Sequence, residues 1–165
     1  MDLSPCIPAI SVVWLASEII LARLKHSGQS GSGHDKSSLR VLWTVITVSI
    51  FAGVFLAGSG VGFVATGAGV IRMFGIVLIL AGLAIRWAAI LTLRKYFTVD
   101  VVIMNDHKVV MTSLYRYVRH PAYLGSLLSF LGLAISFSNW LTALVILMPI
   151  TGAFLYRIHV EEKAL

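Results

Sequence analysis

Charge is scarce in this chain. Asp, Glu, Lys and Arg make up only 12% of its 165 residues, against a usual soluble share of about 25%, while 58% of residues are hydrophobic and the mean hydropathy is +0.92. That balance argues against a soluble globular domain. Cysteine is nearly absent too: Cys6 stands alone, which excludes an intramolecular disulfide and any multi-cysteine metal site. Acids are outnumbered, with 7 Asp+Glu against 13 Lys+Arg and a net charge of +6. In a soluble protein this excess would suggest nucleic acid, but cytoplasmic loops of membrane proteins are basic for topological reasons. The basicity therefore reads as orientation, and no nucleic-acid partner is expected. No internal repeat is evident.

A transmembrane helix needs about 20 apolar residues, so 165 residues have room for roughly five or six spans. A separate soluble catalytic domain does not fit. Any chemistry must sit on helix ends, on short loops or between spans, in a single domain covering residues 1–165.

The first apolar run, about 7–24, has no basic region before it and no small-residue cleavage site after it, so it reads as an uncleaved span and not as a signal peptide. Glu18 lies within it. An acid at that depth faces the bundle interior or marks a functional path, unless it lies close enough to a helix end to reach interfacial water. From 25 to 40 the composition turns to Gly, Ser, His and charge, which reads as a flexible linker.

No charge occurs between Arg40 and Arg72, and a second span is expected over about 41–60. It ends in the Gly-rich turn Gly58-Ser-Gly-Val-Gly62. A third span over about 70–93 carries Arg72 near one end and Arg86 nearer the other, with Gly75 and Gly82 allowing close approach of a neighbour. The polar stretch 94–120 is the one long segment where aqueous chemistry fits. Val99, Val101, Val102 and Ile103 place part of it against the membrane surface. From Pro121 to Tyr156 charge is again absent, giving two short spans, about 121–137 and 140–158, joined by a tight turn at Ser136-Phe137-Ser138-Asn139. Pro149 should bend the second arm.

Most of the Lys and Arg lie in three segments: the 25–40 linker, the 94–119 stretch and the C-terminal tail. The 58–69 and 136–139 turns hold none. Five spans place all three basic segments on one side, with the N-terminus outside and the C-terminus in the cytoplasm. The expected fold is thus an all-α integral membrane protein of five transmembrane helices that ends in a helical hairpin.

Two strings carry chemistry. In Tyr115-Arg-Tyr-Val-Arg119-His120-Pro121-Ala122-Tyr123-Leu-Gly125, Pro121 suits the first turn of a helix, so Arg119 and His120 stand at its mouth, where a helix N-terminus with adjacent cations is an anion site. The plainer alternative is an interfacial anchor of basic and aromatic residues. In Arg157-Ile-His-Val-Glu161-Glu162, Arg157 and Glu161 share a helix face at i and i+4. They make either an ion pair at the membrane boundary or part of a site for a cationic ligand, because unpaired acids near lipid are costly. His159 projects from another face, and His26 and His34 fall in the linker. None of these histidines has a spacing suited to a metal.

Taken together, His107-Lys108-Val109-Val110, Tyr115, the Arg119 to Gly125 string and the Arg157 to Glu162 string resemble the isoprenylcysteine carboxyl methyltransferase family, integral membrane enzymes that use S-adenosylmethionine. The resemblance runs from Trp14 to the last residue. Asp35-Lys-Ser-Ser-Leu39 and Phe97-Thr-Val resemble the bacterial members in particular, and phospholipid methyltransferases of the wider group have a similar Arg-His-Pro and Glu-Glu arrangement. The resemblance implies that His107, Lys108, Val109, Val110, Tyr115, His120, Pro121, Ala122 and Tyr123 line the S-adenosylmethionine site, that Glu161 contacts the same cofactor, and that Arg157 holds the substrate. It also implies a bacterial cytoplasmic membrane location with the active site on the cytoplasmic side.

The chain departs from the family pattern at Ser113-Leu114, where a Gly-containing pair is usual. Family members also continue past the Glu-Glu pair, whereas this sequence ends at Leu165; either further chain belongs to it or part of the cofactor pocket is missing.

A carboxylate acceptor needs no general base, since its nucleophile is already ionised, and a dry site favours the meeting of that anion with a sulfonium. An amine or thiol acceptor must lose a proton, with Glu161 or Glu162 as the base. The expected function is methyl transfer to a lipophilic or lipidated carboxylate in contact with membrane lipids. The alternatives are a phospholipid-amine or small-thiol methyltransferase, and a non-catalytic transporter or structural component in which Glu18 and Arg86 line a path.

Overall fold

The computed structural model describes residues 33–93 and 113–164. They form four helices, α1 (Gly33–Ser59), α2 (Ala68–Leu93), α3 (Pro121–Ser136) and α4 (Trp140–Ala164), with a 3-10 turn (Ser113–Arg116) before α3. The expected span over 7–24, the first part of the linker and the 94–112 loop lie outside the described residues. Three segments are long and apolar enough to cross a membrane: Ser37–Ser59, Ala68–Leu93 and Trp140–Lys163. The protein is an all-α integral membrane protein over the described residues. The expected spans at 41–60, 70–93, 121–137 and 140–158 each coincide with a helix. However, the 16 residues of α3 reach only about 24 Å at 1.5 Å per residue, short of a hydrocarbon core of about 30 Å.

Two boundaries differ from expectation. The linker expected over 25–40 is helical from Gly33 onward. Its Gly and Ser content has little helix preference of its own, but tertiary packing overrides it: Ser38, Leu42 and Ile46 are all buried, with Leu42 and Ile46 in the same core cluster as Ile146, Ile150 and Phe154 of α4. α4 is also longer than expected and runs through Pro149 to Ala164. Glu161 and Glu162 therefore ride on the helix.

The bundle is inside-out relative to a soluble protein. Phe51 and Phe55 of α1, Met73 and Val77 of α2 and Met148 of α4 are exposed, whereas Ser49, Ser126, Ser129, Ser136 and Thr142 are buried. Lipid supplies no hydrophobic drive between helices, so association rests on close backbone approach and on interhelical hydrogen bonds. α2 and α3 show both. They run antiparallel, with Gly82 against Gly125 and Gly75 against Gly132. A methyl placed on Gly82 would stand 2.5 Å from the Gly125 carbonyl oxygen, and one on Gly132 would stand 2.5 Å from that of Gly75. Ser129 Oγ donates across the seam to the Ile79 carbonyl at 3.2 Å.

α1 and α4 also run antiparallel. Thr142 Oγ1 donates to the Gly53 carbonyl at 3.3 Å, and Ser38 meets Arg157 at the other end. The interval from Ser38 to Gly53 equals that from Thr142 to Arg157, so one register satisfies both contacts. α3 and α4 form the expected hairpin. Asn139 opens α4 by accepting the Thr142 N–H on Oδ1 at 3.0 Å, an N-cap arrangement. Its Nδ2 donates to the Val61 carbonyl at 2.7 Å. Val64 N–H donates to Ser138 O at 2.7 Å and Trp140 N–H to Gly62 O at 3.2 Å, where Gly62 has φ +82°, a conformation that suits glycine. The two uncharged turns are thus stitched together, which leaves the polar chemistry to the opposite end.

Candidate active site

That opposite end is where α1 and α3 begin and α2 and α4 finish. His120 occupies the N-cap of α3 and Pro121 its first turn. Three residues apart on the opening turn, the rings of His120 and Tyr123 stack with centroids 5.8 Å apart and planes inclined by 22°. Tyr123 meets Phe154 edge-on at 5.5 Å, and Phe154 in turn lies 6.1 Å from Phe130. A column of rings therefore leads from the mouth into the core.

The last turns of α4 supply the charges. Arg157 Nε lies 3.2 Å from Glu161 Oε1, the i, i+4 pairing expected of one helix face, and the Tyr123 hydroxyl donates to the same oxygen. His120 extends the network, with Nδ1 4.0 Å from Glu161 Oε2 and Nε2 3.3 Å from Glu162 Oε1. Arg157 Nη1 donates to Ser38 Oγ of α1 at 2.5 Å. Exposure grades outward: the Arg157 side chain is 1% exposed, that of Glu161 19%, His120 25% and Glu162 47%. A buried guanidinium is tolerated only when paired and hydrogen-bonded; here a carboxylate and a hydroxyl do this. The arrangement can hold an anion at the inner cation and a cation against the outer acids and rings.

Arg86 of α2 braces the site from behind. Its Nη1 donates to the Ala122 carbonyl at 3.2 Å, and Ser126 Oγ donates to the same oxygen at 3.2 Å. Gly125 packs on the Arg86 backbone, where a methyl would stand 2.6 Å from the amide nitrogen. The first turn of α3 is held in place by Arg86, the residue that only the transporter alternative would place along a path. Tyr115, on the 3-10 turn beside α2, has its hydroxyl pushed up to about 12, because burial disfavours the phenolate more than the Arg86 charge favours it. It stays protonated at physiological pH.

The structure thus brings His120, Pro121, Ala122, Tyr123, Arg157 and Glu161 together, while Tyr115 flanks them. His107, Lys108, Val109 and Val110 lie outside the described residues. His159 is exposed, on a different face from buried Arg157, as the helical spacing implies. Ser38 lies in the Asp35-Lys-Ser-Ser-Leu39 string, but no role at the site follows from that string alone, because its partner Arg157 is 119 residues away.

Comparison with known proteins follows the same residues. The isoprenylcysteine carboxyl methyltransferase family profile matches residues 75–165, a segment that takes in α3, α4 and most of α2. Protein-S-isoprenylcysteine O-methyltransferase A of Arabidopsis thaliana is 33% identical over 91 residues, covering 54% of this chain and 46% of that protein. Its B counterpart is 32% identical over 97 residues, 58% and 49% of the respective chains. An uncharacterized protein of Haemophilus influenzae is 29% identical over 92 residues, 55% and 54% of the two. The chain spans about half the length of the curated relatives it matches. With more than half of its own length under the family profile, and with both chemical strings inside that segment, the chain belongs to the isoprenylcysteine carboxyl methyltransferase family.

Proposed function

We infer that this protein methylates the carboxylate of a lipophilic acceptor, of the isoprenylcysteine type named for its Arabidopsis relatives, with S-adenosylmethionine as methyl donor. The observation that carries the reading is the pairing, at one membrane-facing end, of a fully buried Arg157 with a graded acidic and aromatic mouth.

The donor set fits a sulfonium compound. Glu161 and Glu162 offer negative charge, and the rings of His120 and Tyr123 offer faces for a cation and for a base to stack on. By family resemblance, His107 to Val110, Tyr115 and His120 to Tyr123 would hold the donor. When bound, it would supply an electrophilic methyl on a positively charged sulfur.

The chain's own residues do the rest. Arg157 is the natural holder of the acceptor carboxylate, since a guanidinium presents its N–H donors in a planar fork that matches a carboxylate. Fixing that anion removes orientational freedom before reaction. Glu161, held by Arg157 and by the Tyr123 hydroxyl, is suited to remain an anion facing a cation and not to accept a proton. The column Tyr123, Phe154 and Phe130 keeps water from the inner side, and low polarity favours a step in which opposite charges cancel.

A second reading has one observation behind it. His120 and the half-exposed Glu162, 3.3 Å apart, make a pair able to take up a proton, as an amine or thiol acceptor requires. Products separate the two readings. With labelled S-adenosylmethionine and a panel of lipophilic acids, amines and thiols in lipid, label is expected in a base-labile methyl ester. Label confined to base-stable amine or thioether products would overturn the carboxylate reading.

The same reading places the site on the cytoplasmic side of a bacterial membrane, with five spans and an external N-terminus. The support is the charge pattern of the sequence together with the uncharged stitched turns at the far end of the bundle. In a background lacking Cys6, cysteines introduced at Ser30 and Ala164 are expected to resist an impermeant thiol reagent in intact cells. Labelling of either one would reverse the assignment.

A further inference from the structure

We propose that Ser38 is a positioning residue for methyl transfer, fixing the Arg157 guanidinium in the orientation that receives the acceptor carboxylate. The inference rests on the carboxylate reading above and extends the site to α1, a helix that precedes the segment matched by the family profile.

Ser38 has no exposed surface, although it sits in the Gly- and Ser-rich opening of α1. A serine inside a helix ordinarily turns its hydroxyl back to a carbonyl one turn earlier, as Ser126 and Ser129 do in α3. Ser38 Oγ accepts a hydrogen bond from Arg157 Nη1 at 2.5 Å, which a hydroxyl can do through its lone pairs whatever its own O–H donates to. Hydrogen bonds to an ionised group are short and about twice as strong as neutral ones.

The geometry gives this bond a directional role. Arg157 is held by the Glu161 carboxylate, an ion-pair contact at Nε, by Ser38 at Nη1 and by a side-chain hydrogen bond with Tyr123. Contacts at separate points of one planar group set both the swing of the side chain and the roll of the plane. Glu161 stands on the same helix as Arg157 and moves with it. Ser38 stands on a different helix, held in register by the Thr142 bond to the Gly53 carbonyl. Ser38 therefore ties the roll of the guanidinium to the α1–α4 packing, and that roll decides whether an incoming carboxylate meets two parallel N–H bonds or one.

The test uses the full chain in lipid. Ser38→Ala removes the grip, and Ser38→Thr keeps a hydroxyl. In Ser38→Ala, kcat/KM for the lipophilic acid is expected to fall about 10- to 100-fold, the range of a lost hydrogen bond to a charged group. S-adenosylhomocysteine affinity should stay within about threefold, and Ser38→Thr should recover most of the loss. A purely structural role would lower acceptor turnover and cofactor affinity together, without rescue by threonine. That result, or an acceptor kcat/KM unchanged in Ser38→Ala beside an active wild type, would overturn the positioning role alone. A wild-type protein that methylates no acid would overturn the carboxylate reading itself, and the catalytic role of Ser38 with it.

Discussion

Arg157→Ala is expected to abolish methyl transfer while S-adenosylhomocysteine affinity falls only several-fold. Glu161→Gln is expected to do the reverse at first measurement, losing cofactor affinity by roughly 30-fold or more and losing turnover as a consequence. The scale comes from burial. Truncating one partner of a buried, hydrogen-bonded charge pair costs about 2–5 kcal/mol, equivalent to roughly 30-fold to several-thousand-fold in affinity, whereas exposed pairs are worth about 0–1 kcal/mol. Arg157 belongs to the first class, with a side chain 1% exposed.

The contact between the two residues sharpens the comparison. Because Arg157 and Glu161 touch, an ion pair whose members serve only each other predicts equal losses of transfer and of cofactor affinity in both variants. Calorimetry and labelled methyl transfer in the same lipid read out both quantities. Matching small losses would remove the pair from the active site.

Gly125→Val should unfold the α2–α3 seam. The added side chain would meet backbone on two sides, the Arg86 amide nitrogen and the Gly82 carbonyl oxygen each standing 2.6 Å from its first carbon, and backbone cannot turn aside as a side-chain tip can. Overpacking costs typically about 1–3 kcal/mol, and a contact with fixed backbone on both sides belongs at the upper end. The Arg86 bond to the Ala122 carbonyl lies one turn away, so activity should fall with stability. Gly152→Ala is the matched control, since among the described residues nothing lies within 4 Å of its added carbon; it should leave both untouched. Thermal unfolding in detergent followed by far-UV circular dichroism measures the difference, and equal midpoints for Gly125→Val and wild type would show that the seam has room.

Legibility in the sequence divided along the range of the interactions. α2 was readable because a lack of charge over many residues has one physical meaning in a chain this apolar, and its expected limits of 70–93 sit within Ala68–Leu93. The Ser136 to Asn139 turn was readable because polar residues interrupt an otherwise unbroken apolar run. The 33–40 segment was not. Its composition favours a linker locally, and what makes it helical is the burial of Ser38, Leu42 and Ile46 against a helix more than a hundred residues later.

Within the site, the Arg157–Glu161 pair followed from spacing on one helix. Tyr123 and Glu161 were each singled out, but their hydrogen bond joins residues 38 positions apart, and pattern reading along a chain has no access to such pairings. Arg86 gave a partial signal. Its place inside an apolar run was legible, but only the fold shows that it donates to a backbone carbonyl of α3.

The alternation of helix direction around the bundle has a consequence for which ligands this scaffold can host. Among the described residues, two helices present their N-termini and two their C-termini at the end that bears Arg157, so the partial charges of these four ends, about +0.5 and −0.5 each, largely offset. The backbone is accordingly neutral toward the sign of a ligand, unlike a site built at the mouth of a single helix. Among the described residues, preference for anion or cation at this end rests with side chains such as Arg157, Glu161, Glu162 and His120. Substituting one of these side chains is therefore expected to change which sign of ligand charge the site accepts while leaving the helix ends themselves in place.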